Sequence, residues 1–159
     1  MSEFKGWICD VCGNVIEKVE DGWVEWIAFL DPSGNPKERN LRLTHNKLSS
    51  PRKSKHGCQF DDDYECRKDK GVILSLSLKN FLGPDGLMLL LSFIAENKLP
   101  IQEVLEMIKR LHIPGYEHAR FYFDEAISED VFESNVLEGY YRQSDINTVL
   151  KYIIKKNKT

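Results

Sequence analysis

Two cysteines with two residues between them, followed at once by glycine in Trp7-Ile8-Cys9-Asp10-Val11-Cys12-Gly13, constrain this chain more than any other feature. Thiolates at that spacing can grip one metal ion from a single tight turn, and Gly13 supplies backbone freedom where the chain curls under the sulfurs. The other two cysteines and two of the four histidines fall between His45 and Cys66. The pattern predicts a four-ligand zinc site that ties the N-terminal half together, because structural zinc fills its four tetrahedral positions with thiolate and imidazole.

Cys9 and Cys12 supply half of that set, and the second pair must come from His45, His56, Cys58 and Cys66. His45 and Cys58 are favoured. His45 shares a strand face with Leu41 and Leu43, so its ring points into a dry layer, and Gly57 lets the chain approach closely at Cys58. His56 is an alternate, since residues two apart in an extended segment point the same way. Cys66 is a second alternate, in a charged stretch. The plainer rival is a set of reduced thiols with unrelated histidines. A redox Cys-x-x-Cys is a third option, set aside because that motif belongs at a helix start after a strand, whereas Gly13-Asn14-Val15-Ile16 reads as a turn and strand.

The patterning changes character near residue 80. Before it, period-two alternation predicts strands over 22–30, 40–45 and 72–78, the first two joined through the turn signals of Asp31-Pro32-Ser33-Gly34-Asn35-Pro36. Residues 46–70 read as a long polar loop that a metal would have to pin. After residue 80, helix-period stripes predict four helices. They begin near Pro84, at Pro100, after Pro114-Gly115, and at Ser144 as N-cap. The expected fold is therefore α+β. A zinc-bound β-ribbon and antiparallel sheet (residues 1–80) packs on a bundle of about four helices (residues 81–159), as two modules or as one continuous globular domain.

Cys9-Asp10-Val11-Cys12-Gly13 resembles the first knuckle of zinc-ribbon modules, over at most the first sixty residues. The chain departs from that pattern by lacking a second Cys-x-x-Cys. The resemblance implies a structural ion flanked by a β-hairpin, and it leaves the partner open because ribbons bind nucleic acid and protein alike. The helical half carries no such resemblance.

Other features narrow the function. A net charge of −3 argues against a general polyanion binder. The longest apolar stretch, Leu87 to Ala95, is about half of the ~20 residues a membrane-spanning helix needs, so no membrane association is expected. Met1-Ser2-Glu3-Phe4-Lys5-Gly6 has no apolar signal region, and unpaired cysteines fit a reducing compartment, so the expected location is cytoplasmic.

A deaminase would show His-x-Glu with Pro-Cys-x-x-Cys, and neither is present. No acid–base constellation accompanies the cysteines, so catalysis is not the favoured reading. The leading expectation is a non-enzymatic zinc-stabilised module whose partner is another protein. The alternative is a nucleic-acid binder using the basic loop 37–55, through Arg42, Lys47, Arg52, Lys53 and Lys55. A metal-dependent hydrolase or nuclease is the third. The region after Pro100 has a helix–turn–helix spacing, but Glu117, Asp124 and Glu125 make its second helix unsuited to a phosphate-lined groove.

Overall fold

A computed structural model describes residues 4–135 and 137–158. It is α+β, and the chain divides into two compact units. One runs from Lys5 to His112; the other comprises the residues from Ile113 onward together with Phe4.

In the first unit, β1 (Trp7–Ile8) and β2 (Val15–Ile16) form a minimal antiparallel ribbon, Trp7 opposite Ile16 and Ile8 opposite Val15. The chain then enters β3 (Gly22–Leu30) and returns along β4 (Pro36–His45). The Asp31 carboxylate makes that reversal, accepting from the Ser33 and Asn35 amides at 2.9 Å each. β4 starts four residues earlier than the alternation predicts. Lys37, Glu38 and Arg39 hide its apolar period but still pair with Phe29, Ala28 and Ile27.

Within β4, Asn40 has φ +59°, and the two residues Asn40 and Leu41 span the place that Trp26 alone occupies on β3. This is a β-bulge, and Asn is among the few side chains that tolerate the left-handed region it needs. β5 (Val72–Ser77) flanks β3 on its other side, giving a three-stranded antiparallel sheet in the order β4-β3-β5.

One sheet face carries Val24, Trp26, Leu41 and Leu43, which pack with Phe81, Leu90, Val104 and Met107. The last three come from α2 (Gly83–Glu96) and α3 (Ile101–His112), whose apolar residues recur at helical spacing. Trp26 sits 5.1 Å from Phe93 and 6.3 Å from Phe81, a tilted and edge-on arrangement suited to aromatic quadrupoles.

The stretch read as a continuous polar loop contains a helix, α1 (Asp62–Asp69). It lacks an apolar stripe, so periodicity could not reveal it. It is held instead by the Asp61 cap on the Tyr64 amide (3.1 Å) and by Arg39, which reaches Glu65 and Asp69 at 2.8 Å each. The long unstructured connection expected there is thus two shorter ones.

In the second unit, the single helix predicted after Pro114-Gly115 is two: α4 (Tyr116–Ala119) and α5 (Phe123–Ser128). Tyr122, at φ −123° and ψ 0°, leaves helical geometry between them. α6 (Gln143–Lys156) begins after Arg142 rather than at Ser144. The Asp145 carboxylate accepts from the Arg142 amide at 2.9 Å, so this acid in the first turn, not the serine hydroxyl, sets the start. Ala119, Phe123, Ala126, Ile146, Val149, Leu150 and Ile153 form the unit's core, with Tyr141 stacked on Phe123 at 3.6 Å.

Candidate metal centre

The β1–β2 ribbon turns through residues 9–14. The Cys9 amide donates to the Asn14 carbonyl and the Gly13 amide to the Cys9 carbonyl, both at 3.0 Å. Gly13 has φ +73°, and a Cβ there would meet nothing within 4 Å. Glycine is therefore required by the backbone angle and not by space. This turn aims Cys9 and Cys12 to one side.

His45 ends β4, and Cys58 comes from the connection that follows. Ligand atoms of Cys9, Cys12, His45 and Cys58 all lie within 4.8 Å of one another. A tetrahedral zinc with Zn–S of about 2.3 Å would set sulfur–sulfur edges of roughly 3.8 Å, so the cluster needs only a slight contraction around an ion. Cys9, His45 and Cys58 are buried and Cys12 is half-buried.

The imidazole is oriented for ligation. Its Nδ1 lies 3.5 Å from Cys12 Sγ, while Nε2 is 3.2 Å from the Val15 carbonyl. Donation from Nε2–H to that carbonyl leaves the Nδ1 lone pair facing the sulfurs, the outer-shell bond that fixes the tautomer of a ligating histidine. Ser50 Oγ lies 3.1 Å from Cys58 Sγ and completes a polar contact on that sulfur. Gly57, at φ +58°, lets this approach happen: a Cβ there would come within 2.8 Å of the Ser50 Cβ.

The thiols are electrostatically unequal. Burial opposes ionisation of Cys9, but the amides of Cys12, Val11 and His45, with the imidazole, outweigh it and bring its pKa down to about 7. Burial and the neighbouring Cys9 sulfur push Cys12 up to about 11. The pair readily carries one negative charge, and a bound cation would displace the second proton.

Two further ties lock the ligands in place. Asp10, inside the knuckle, accepts the Leu43 amide at 2.7 Å and Arg110 of α3 at 2.8 Å, while Arg110 also donates to the Ile8 carbonyl at 3.0 Å. Below Cys58, buried Glu25 accepts Arg42 Nε and Nη2 (2.9 and 2.8 Å) and the Phe60 amide (3.0 Å). Arg42 covers the Phe60 ring at 3.4 Å and reaches the Cys58 carbonyl at 3.3 Å.

The alternates lie elsewhere. His56 Nε2 is 3.6 Å from the Asp61 carboxylate, and Cys66 is exposed on α1; neither belongs to the four-residue cluster. Of the basic residues, Arg42 is engaged by Glu25, whereas Lys47, Arg52, Lys53 and Lys55 are exposed.

Sequence reasoning missed Asp10 and Arg110. An acid between two ligands is visible in the chain, but its cation sits 100 residues away, in a helix read only for its apolar stripe. Glu25 carried a clearer signal, a lone acid in mid-strand between Val24 and Trp26. No protein-family model, curated protein or solved structure matches this chain. Among the described residues, no helix is long and apolar enough to cross a membrane.

Proposed function

We propose that Cys9, Cys12, His45 and Cys58 hold one zinc ion in a structural role, and that the chain is a non-enzymatic interaction module whose partner is another protein. One observation carries the metal reading: three thiols and an imidazole converge within 4.8 Å, three of the four residues buried. Thiolate and imidazole favour zinc over the hard cations that prefer oxygen. Four protein donors would fill the tetrahedron, whereas a catalytic zinc keeps one position for water. Bound there, the ion would cross-link the ribbon, the end of β4 and the connection at Cys58. The resemblance to a zinc-ribbon knuckle supports the interaction role.

A second reading draws on exposed Lys47, Arg52, Lys53 and Lys55, which could track a phosphate backbone. Metal analysis decides the first point. The purified protein should contain about one zinc per chain, Cys9→Ser should lose it, and Cys66→Ser should keep it. A Cys9→Ser protein with unchanged zinc would remove the assignment. Nucleic-acid binding that is absent or insensitive to salt would remove the second reading.

A further inference from the structure

The sheet face opposite the one that packs on α2 and α3 carries an acid that its neighbours only half satisfy. Glu25 and Ser75 are cross-strand partners there, and Ile73 follows two residues away on β5. Glu25 is 1% exposed. Its Oε1 takes all three donors, Arg42 Nε and Nη2 and the Phe60 amide, whereas Oε2 is screened from water and has no hydrogen bond. Leaving a buried carboxylate oxygen in this state is costly, so its natural complement is a group that donates to it.

Glu25 lines a cavity of about 340 Å³, together with Ser75, Ile73, Phe60 and the exposed residues Lys47 and Asp62. That volume lies near the lower end of small-molecule sites, roughly 300–1,000 Å³. Among the described residues the Ser75 hydroxyl has no hydrogen bond, and neither Lys47 nor Asp62 makes an ion pair. Burial raises the Glu25 carboxyl despite Arg42, and the Asp62 charge raises it further, so the two acids repel each other. The lining does not make a metal site. Among the described residues only the cysteine–histidine cluster brings three or more His, Cys, Asp or Glu donors close enough to share an ion.

We infer that this cavity binds a small organic cation, a primary ammonium on a short apolar chain, with its N–H groups on Glu25 Oε2 and the Ser75 hydroxyl. The positive charge would relieve the repulsion between Glu25 and Asp62, and the chain would lie against Ile73 and Phe60. Because Oε2 is screened, binding includes a local shift that uncovers it. Lys47, exposed and without an ion pair, is free to give way. Lys47 is also a like charge in the lining, so its presence should weaken the binding of a cation. An anion would show the reverse pattern, held by Lys47 and repelled by both acids.

The probe is n-butylammonium chloride, titrated into the zinc-loaded full chain and followed by NMR amide shifts, with sodium butyrate and butanol as matched controls. Saturable shifts should centre on residues 59–62 and 73–75, in the millimolar range for so small a ligand, and neither control should reproduce them. Glu25→Gln should weaken binding about tenfold. Because that change also disturbs the Arg42 pair, two exposed positions decide the sign in an intact fold. Asp62→Asn should weaken binding and Lys47→Gln should strengthen it, each by about twofold to threefold. Butyrate or butanol binding as well as the amine would overturn the inference, as would shifts centred elsewhere or no saturation by about 100 mM. So would affinity that is unmoved, or moved in the opposite direction, by the Asp62 and Lys47 variants.

Discussion

The two units are held together by different physics. In the unit from Lys5 to His112, the ribbon and the connection through Cys58 contribute few large apolar side chains. They are fastened by a cysteine–histidine cluster and by ion pairs with one buried partner each, Asp10–Arg110 and Glu25–Arg42. The unit after Ile113 is held by rings and aliphatic side chains: Phe123 on Tyr141, Phe132 edge-on to both, and the α6 stripe beneath them. Polar fastening is exacting, since one lost partner strands another group, whereas apolar packing loses stability in proportion to what is removed. A small region lacking apolar mass can be made rigid by an ion, and a region rich in rings has no need of one.

Metal removal should expose this contrast most strongly. Zinc binding in small folds is worth on the order of 10 kcal/mol, so a chelator should abolish amide protection around residues 7–16 and 45–60. Protection in α6 should persist, because its contacts are apolar. Hydrogen exchange before and after chelation measures this, and loss of α6 protection together with the ribbon would break the distinction. The reciprocal perturbation is Phe123→Ala, which removes a ring only 3% exposed. It should cost about 3–5 kcal/mol in the second unit and leave zinc content unchanged.

Many of the individual elements were legible in the chain, for reasons that differ by residue. β3 and β5 announced themselves by alternation, and α2 and α3 by apolar spacing, since each buries one face. The four clustered donors were also readable, because Cys-x-x-Cys-Gly, a histidine on an apolar strand face and a Gly-Cys step each carry a local reason to point inward. What escaped depends on charge: α1 is pinned by Arg39, the start of β4 is masked by Lys37 to Arg39, and α6 is capped through Asp145. Charged side chains choose partners by proximity in the fold, and sequence spacing does not encode that proximity. The split between α4 and α5 escaped because Tyr122 belongs to an apolar stripe that continues unbroken through it.

Arg110→Ala tests whether a distant charge helps shape the metal turn. The Arg110 side chain is 4% exposed, and its loss leaves Asp10 and the Ile8 carbonyl without that donor. A cost of about 2–3 kcal/mol is expected, with zinc affinity falling roughly tenfold, as for other outer-shell partners. Competition with a chromogenic chelator reads the affinity directly. Unchanged affinity alongside reduced stability would confine Arg110 to packing.

The smallest effect concerns Glu25, where burial raises the carboxyl pKa despite the Arg42 ion pair and the Phe60 amide. A carboxyl whose folded pKa lies above its unfolded value binds protons more tightly when folded. Its contribution is therefore full in acid and is lost as pH rises from the unfolded value of 4.5 through the folded one. Glu25→Gln removes that slope, so the variant should gain on the parent protein as pH rises across this window, whatever the fixed cost of losing the Arg42 pair. Denaturant titrations of both proteins, zinc-saturated and at matched pH, cancel the proton dependence of the metal ligands. If the parent gains instead, Arg42 outweighs burial at Glu25, and the anchor beneath Cys58 is a net stabilising ion pair like the salt bridges that hold α1.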